Sequence, residues 1–349
     1  MKDPIAQFQQ TIAAAVAAKS ALRIRGGGSK DFYGLSLDGE VIDTRAYSGI
    51  VEYEPTELVF TARAGTPLRE VEAALAEHGQ MLAFEPPHFG PDATFGGCIA
   101  AGFSGPRRAY QGSARDFVLG VRVLNSAGED LRFGGQVMKN VAGYDVSRLM
   151  TGSFGTLALL LEVSVKVLPI PATEETLRLD MSEAQAVDTM NRYAGKPLPL
   201  SATCFVDNSL YIRLSGAGSA VAAARKQIGG DAIDSEPFWY SVREQTHPFF
   251  ADARSLWRLS IKSTTPPLAL GPTLIEWNGS LRWVSGKGEL DRMHASARKS
   301  GGYATSFRSG TKRDALQKLE PAMLVLQRNL KQALDPAGVF GPRRLHDNF

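Results

Sequence analysis

The spacing of apolar residues predicts alternating helices and strands in the first part of the chain. Over residues 4–20 the apolar side chains recur at a helical interval, which favours an amphipathic helix with one buried face. Alternation over residues 22–25 predicts a strand that runs directly into three glycines. Two more short strands are predicted over residues 41–44 and 57–62, and a helix is predicted over residues 68–78.

Further along, the pattern becomes richer in β-forming residues. Residues 117–124 and 131–133 are strand-like runs separated by turn residues, which indicates a hairpin. A long β-rich run over residues 157–168 ends at Pro169 and Pro171. The two prolines mark the first predicted domain boundary.

The remainder of the chain is predicted to alternate between strands and helices. Predicted strands cover residues 173–180, 210–214, 257–262 and 281–284, and predicted helices cover residues 182–193, 219–228, 289–300 and 321–334. This arrangement favours an α+β region built on an antiparallel sheet.

The composition is typical of a globular protein. At 349 residues the chain is too long for one ordinary core, so we expect two domains or one domain with a large insert. Its 39 basic and 36 acidic residues are scattered, so we expect no nucleic-acid partner.

Cys98 and Cys204 share no motif spacing, which argues against a disulfide framework or an iron–sulfur site in this chain. The apolar run over residues 11–18 does not match a signal peptide or a membrane span, so we expect a soluble, cytoplasmic protein.

Glycine-rich runs predict loops that close around one anionic ligand. They are residues 25–29 (RGGGS), 93–97 (ATFGG), 110–116 (YQGSARD) and 151–156 (TGSFGT). Three consecutive glycines after a strand can adopt positive φ and direct several N–H groups at one point, which suits a pyrophosphate better than a plain surface turn. A nicotinamide Rossmann fold and a P-loop are disfavoured, because the first run lacks the third fingerprint glycine and has Asp31 after Lys30.

Taken together, these runs resemble the FAD-binding domain of the vanillyl-alcohol-oxidase, or PCMH, type. The runs over residues 85–90, 105–110 and 133–150 resemble, more closely, the E subunits of bacterial glycolate oxidase (glycolate dehydrogenase) complexes. The resemblance implies an α+β fold with a two-subdomain PCMH-type FAD-binding domain over residues 1–171, an α+β cap domain with an antiparallel sheet over residues 172–320, and a C-terminal helix and tail over residues 321–349 that return to the FAD domain.

The same resemblance implies a function within a complex. The subunit would bind FAD and work with a second FAD-binding subunit and an iron–sulfur subunit to oxidise glycolate, a small 2-hydroxy acid, to glyoxylate. Hydride would pass to the flavin, electrons would pass to the iron–sulfur partner, and any membrane association would run through the partners. Families with covalent flavin carry a histidine where this chain has Gly28, so noncovalent FAD is implied. A self-sufficient hydroxy-acid dehydrogenase and a flavin-binding scaffold or electron relay remain alternatives.

The resemblance also assigns residues to the cofactor site. Residues 25–29 would hold the pyrophosphate, Thr94 would lie along the dinucleotide, and Pro87 and His88 would sit near the isoalloxazine. The complete implied set of cofactor-binding residues is Arg25, Gly26, Gly27, Gly28, Ser29, Pro87, Thr94, Gly96, Gly97, Gly152, Ser153, Gly155, Thr156, Leu159 and Leu160.

Oxidation of a 2-hydroxy acid requires a cation for the carboxylate and a base for the hydroxyl proton. Arg258 lies on a predicted strand, where its guanidinium can bind a carboxylate through two N–H groups. The alternative is an ordinary strand arginine that points outward to solvent. His88 is the base candidate because Pro87 stiffens its approach to the predicted flavin, the alternative being a structural histidine. The five histidines show no pair at metal-ligand spacing, so we expect no metal.

Overall fold

A computed structural model describes residues 3–135, 145–251, 255–286, 288–308, 316 and 318–347. Residues 136–144, part of the run that carries the closer resemblance, lie outside the described residues. The helices are α1 Pro4–Ala18, α2 Leu68–Ala76, α3 Phe95–Ala101, α4 Arg108–Gln111, α5 Ala114–Phe117, α6 Val146–Leu149, α7 Glu183–Ala194, α8 Gly218–Ile228, α9 Ser235–Arg243, α10 Pro248–Ala251, α11 Leu290–Lys299 and α12 Pro321–Leu334, with short 3-10 turns at Thr44–Ala46, Pro55–Glu57 and Trp277–Gly279.

The strands fall into separate sheets on either side of residue 171. They are β1 Leu22–Arg25, β2 Glu40–Asp43, β3 Ile50–Glu54, β4 Val59–Arg63, β5 Gln80–Met81, β6 Val118–Leu124, β7 Asp130–Gly134, β8 Leu159–Lys166, β9 Leu168–Pro169, β10 Thr173–Asp180, β11 Leu200–Val206, β12 Ser209–Gly216, β13 Asp231–Ile233, β14 Leu256–Ser260, β15 Thr273–Glu276, β16 Leu281–Ser285 and β17 Tyr303–Arg308.

The first half of the chain is built on an antiparallel sheet whose described strands run in the order β3-β4-β8-β6-β7. Strand β8 is buried along almost its whole length because it pairs with both β4 and β6. Helices α2 and α3 contribute Leu68, Val71 and Ile99 to the core beneath this sheet. Strands β1 and β2 form a separate parallel pair. The glycine run after β1 therefore begins outside the larger sheet.

The second half forms an antiparallel sheet whose described strands run in the order β13-β10-β12-β11-β15-β16-β14-β17. Helices α7 and α8 bury Met190 and Val221 in one core against this sheet. A second core contains Trp239, Trp277 and Trp283, with rings from the first half of the chain packed against it. The α+β fold class with mixed helix and antiparallel sheet is confirmed. The domain boundaries stay a prediction.

A buried ion-pair network joins the two halves. Glu85 accepts from Arg107 Nε at 2.9 Å and from Arg213 Nη2, on β12, at 2.8 Å. Burial opposes the charge of Glu85, yet the guanidinium groups of Arg213 and Arg107 hold its pKa below the usual value. Arg107 also pairs with Glu174 on β10. The network fixes the segment that follows Glu85 against the second sheet.

The carboxyl end of the chain packs against β1. Leu22 donates its N–H to the carbonyl of Val339 at 2.7 Å, and Leu22 forms a parallel bridge with Phe340. Phe340 is fully buried in the core that α1 completes. The chain end is thereby placed beside the glycine run. In the described part of the chain, the helices are too short or too polar to cross a bilayer.

Candidate functional site

The loop after β1 needs its glycines mainly because another segment lies so close to it. A Cβ on Gly27 would fall 1.5 Å from the Asp92 carbonyl oxygen, and a Cβ on Gly26 would fall 2.1 Å from Thr94 Oγ1. Gly28 has a positive φ of 74°. The positive φ expected from the sequence therefore applies to Gly28, whereas Gly26 and Gly27 are required by close approach.

The N–H groups of residues 26–30 have no acceptor among the described residues. The loop is closed instead by an N–H of Asp31 that donates to the Gly28 carbonyl at 3.0 Å, and by an ion pair of 2.8 Å between Arg25 and Asp31. Successive free N–H groups on a glycine loop form an anion-binding nest. The loop therefore forms an anion-binding nest where the sequence predicts a pyrophosphate site, and the assignment of these residues to the pyrophosphate stays a prediction.

The facing wall is a helix start, where the sequence predicted a turn. Thr94 caps α3 by accepting from the Gly97 N–H at 3.2 Å, so Gly96 and Gly97 lie in the first turn of that helix. A Cβ on Gly96 would fall 2.4 Å from the Cβ of Ala64, the residue that follows β4. Small residues here let α3 approach the sheet and leave room in front of its N-terminus.

Between these walls lies a cavity of about 910 Å³, including the part open to solvent, which we call the glycine cavity. Pockets for cofactors are typically a few hundred to about 1,000 Å³. The predicted cofactor-binding residues that line it are Arg25, Gly26, Gly27, Gly28, Ser29, Thr94, Gly96, Gly97, Gly155 and Leu160.

The other predicted cofactor residues lie elsewhere. Gly152, Ser153 and Thr156 line a separate cavity beside α12. The hydroxyls of Ser153 and Thr156 donate to backbone carbonyls of their own loop, at 2.8 and 2.7 Å. Leu159 is fully buried in the core with α1, and Pro87 lines a separate cavity. Their assignment to the cofactor stays a prediction.

Several residues of the glycine cavity were missed by sequence reasoning. Arg23 lies two residues before Arg25 on β1, and its buried Nε has no partner among the described residues. Lys30 donates to Ser29 Oγ at 3.0 Å and to the His88 carbonyl at 2.9 Å, and burial lowers its pKa. Arg344 donates to the Lys30 carbonyl and closes the cavity from the chain end. Residues two apart on a strand share a face, so the Arg23–Arg25 spacing was a usable signal.

The residues present fit the FAD that the resemblance implies. The nest at residues 26–30, the unpartnered Arg23 Nε and Arg25 would hold a pyrophosphate, which is anionic and rich in acceptors. Ala64, Ala158 and Leu160 supply an apolar wall for a planar ring. When bound, FAD supplies a two-electron acceptor for hydride.

A second cavity is lined by residues from both halves of the chain, including strands of the second sheet. We call it the aromatic cavity; its lining includes Pro87, Phe89, Phe103, Arg258, Trp277 and Trp283. The Arg258 guanidinium lies 5.3 Å from the Trp277 ring centre and 6.0 Å from that of Trp283. The cavity encloses about 370 Å³, including its open part. Arg258 and Pro87, far apart in sequence, are thus brought together.

His88 is not among the residues that line either cavity. Its Nε2 lies 2.9 Å from Glu72 Oε2, its N–H donates to the carboxylate of Glu244, and its carbonyl accepts from Lys30. The imidazole is therefore engaged on the side of α2. Its role as a base stays a prediction from the sequence.

Glu276 is a buried carboxyl group in the aromatic cavity. It is 4% exposed and accepts from Trp283 Nε1 at 2.8 Å. Burial raises its pKa to about 7, against smaller opposing effects of the Trp283 hydrogen bond and the Arg258 charge. A carboxyl group with this pKa is about half protonated near pH 7 and can exchange a proton near neutrality.

We expect Glu276→Gln to change how stability depends on pH. The folded-state pKa of about 7 lies above the ordinary value of 4.5, so the unfolded chain loses the proton first as pH rises, and the wild type loses stability across that interval. The variant lacks this loss. Urea unfolding should show the variant gaining about 3 kcal/mol relative to wild type between pH ~4 and ~8. A difference that stays constant with pH would contradict a neutral buried Glu276.

Comparisons with known proteins agree with this geometry. The family model described as an FAD binding domain matches residues 4–134. The glycolate oxidase subunit GlcE of Escherichia coli is 48% identical over 333 residues, which cover 95% of this chain and 94% of that protein. The glycolate oxidase subunit GlcD of Bacillus subtilis is 34% identical over 40% of this chain and 29% of that protein. A D-lactate dehydrogenase of Archaeoglobus fulgidus is 31% identical over 51% of this chain and 40% of that protein.

Among solved structures, an alkyldihydroxyacetonephosphate synthase superposes with a TM-score of 0.66 over 96% of this chain and 74% of that one, at 16% sequence identity. This likeness shows a shared fold. FAD is the cofactor that the matched family model and the glycine cavity both indicate. The high identity over nearly the whole length of both chains shows that this protein belongs to the family of the glycolate oxidase subunit GlcE, among the FAD-dependent oxidoreductases.

Proposed function

We propose that this chain is the FAD-binding subunit of a glycolate oxidase complex that oxidises glycolate to glyoxylate. The observation that carries the proposal is a pair of cavities: one is lined by a glycine nest, and the other contains a half-buried arginine beside two tryptophans. The names of the two glycolate oxidase subunits it resembles support the substrate. They also support assembly with a second flavoprotein subunit, while the iron–sulfur partner rests on the sequence resemblance.

In this proposal, the chain's own residues bind and orient. The N–H groups of residues 26–30, with Arg23 and Arg25, hold the cofactor's pyrophosphate noncovalently. Arg258 binds the substrate carboxylate as a fork, and the rings of Trp277 and Trp283 keep the guanidinium in place. Oxidation removes a hydride from the substrate α-carbon, for which bound FAD would supply the acceptor, and a proton from its hydroxyl, for which His88 is the base predicted from the sequence. The electrons then leave toward the iron–sulfur partner.

The proposal is tested by anaerobic addition of glycolate to the FAD-loaded chain, alone and assembled with its partner subunits, followed by flavin absorbance. We expect bleaching in the assembled complex, and Arg258→Lys should slow it by at least about tenfold, because lysine cannot form the fork. Arg292→Lys, an exposed arginine on α11, is the matched control and should leave the rate unchanged.

The outcomes separate the alternatives. Full bleaching of the chain alone would favour a self-sufficient dehydrogenase. If the assembled complex bleaches at the same rate with Arg258→Lys as with the wild type, substrate is not oxidised at this subunit, and an electron relay or scaffold is the better account. A folded chain that takes up no FAD would contradict the proposal entirely.

A further inference from the structure

The aromatic cavity contains polar groups that the proposed function has not yet used. Its lining includes Gln245, which follows α9, and Glu276, at the end of β15. Both are buried, Gln245 being 7% exposed. Apolar rings from both halves of the chain surround them. Buried polar groups in an apolar setting are costly unless they meet a partner, so each needs an explanation.

Gln245 presents an acceptor with no donor. Its Oε1 is buried and has no hydrogen-bond partner among the described residues. The backbone there has a positive φ of 57°, which is uncommon for a residue other than glycine. Leaving an amide oxygen unpaired costs free energy of the order of a lost hydrogen bond. The group is therefore suited to a hydroxyl or N–H donor from a ligand.

Among the described residues that line this cavity, Arg258 is the arginine without a carboxylate partner. The other lining arginine, Arg243, is paired with Glu244 at 2.9 Å. Arg258 has no carboxylate within ion-pair distance in the described ranges, and its planar face is occupied by the tryptophan rings. A side-chain hydrogen bond joins the guanidinium to Tyr303, and its remaining N–H groups can donate to one carboxylate.

Glu276 faces several charged groups, which set its proton affinity. Arg258 and Arg213 favour its charged form, Glu85 disfavours it, and Cys204 lies opposite it on β11. Trp283 Nε1 donates to one of its oxygens. The other oxygen is available to a ligand as donor or acceptor, depending on whether the group carries its proton.

We propose that the aromatic cavity binds a small 2-hydroxy monocarboxylate, with Arg258 taking the carboxylate and Gln245 Oε1 and Glu276 taking the hydroxyl. This deepens the proposed function and rests on it. Among the described residues that line the cavity, Arg258 is the one cation without a carboxylate partner, and the other walls are largely aromatic, so these residues offer no second cation for a second carboxylate. A 2-hydroxy dicarboxylate should accordingly bind poorly, since an unpaired charge would be buried.

The test measures ligand binding to the FAD-loaded chain with the flavin reduced beforehand, so that no turnover takes place. Ligand-observed NMR saturation transfer would compare glycolate, acetate and 2-hydroxyglutarate. We expect glycolate to bind about tenfold more tightly than acetate, because acetate leaves Gln245 and Glu276 without the hydroxyl. 2-Hydroxyglutarate should bind at least about tenfold more weakly than glycolate.

Gln245→Met keeps the length of the side chain and removes the unpartnered oxygen. It should reduce the preference of glycolate over acetate by about fivefold while leaving acetate binding unchanged. Gln10→Met, an exposed position on α1, is the matched control. If Gln245→Met fails to fold, Glu276→Gln is the second variant. It should likewise reduce the preference for glycolate, because the amide places either a donor or an acceptor at the ligand, whereas a carboxyl group can serve as either.

An unchanged glycolate preference in both variants, or equal binding of 2-hydroxyglutarate, would overturn the proposed site. If either of these results is found while glycolate still bleaches the oxidised flavin, the proposed function stands and the proposed binding site is wrong. If glycolate binds as expected but never bleaches the flavin in the assembled complex, the site stands and the proposed function is wrong.

Discussion

Replacing Gly27 by alanine should weaken FAD binding by about a hundredfold. The added Cβ would lie 1.5 Å from the Asp92 carbonyl oxygen and 2.9 Å from Asp92 Cβ, and backbone cannot yield as a flexible side chain can. Either the loop or the segment before α3 must move by about an ångström or more, which separates the two walls of the glycine cavity. Misplacement on this scale typically costs about a hundredfold in a positioned site.

The measurement is a titration of the flavin-free chain with FAD, followed by flavin fluorescence, for wild type and Gly27→Ala. Gly195→Ala is the matched control, because a Cβ there would meet nothing closer than 3.8 Å. Circular dichroism should show that both variants fold. FAD affinity within about threefold of wild type in Gly27→Ala would contradict the geometry of the nest.

Lys331→Met should destabilise the whole protein by about 3–5 kcal/mol. The Lys331 ammonium donates to the Asp335 carboxylate, to the Thr156 carbonyl at 2.7 Å and to the Phe340 carbonyl at 2.6 Å. Asp335 is 1% exposed. Removing the cation leaves a carboxylate buried without its partner, and it releases the tail that pairs with Leu22 on β1.

Urea unfolding checks this result. The double variant Lys331→Met with Asp335→Asn should recover part of the loss, because the uncompensated charge is removed with its partner. Lys226→Met, an exposed lysine near the end of α8, should change the free energy of unfolding by less than about 0.5 kcal/mol. A loss below about 1 kcal/mol for Lys331→Met would show that the tail does not depend on this lysine.

Local sequence was sufficient to predict a glycine loop directly after β1, but not which other residues surround it. The nest is formed by consecutive residues, so a strand followed by glycines was enough to predict it. Gly152 and Ser153 belong to a similar glycine-rich run, yet they line a different cavity, whereas Phe154, with a positive φ of 51°, and Gly155 line the glycine cavity. Which side of a loop faces a ligand depends on long-range packing that no local pattern contains.

The second half of the chain was harder to predict for a related reason. Strand β11 was missed: its small polar residues Ser201 and Thr203 alternate with apolar ones, yet every position is buried because strands pair with it on both sides. The aromatic cavity combines residues that lie far apart along the chain, from the first half to the second. They are Pro87, Gln245, Arg258 and Glu276. Sequence reasoning identified Arg258 by its type and position on a strand, but its partners depend on sheet order.

The central claim is that the nest at residues 26–30 holds the pyrophosphate of a noncovalent FAD. The most direct measurement titrates the flavin-free chain with FAD and, separately, with riboflavin, which has the same ring system and no phosphate, and then precipitates the loaded protein with acid. The account predicts at least about hundredfold tighter binding of FAD than of riboflavin, with all flavin released into the supernatant. Equal affinities, or flavin that stays with the precipitate, would contradict it.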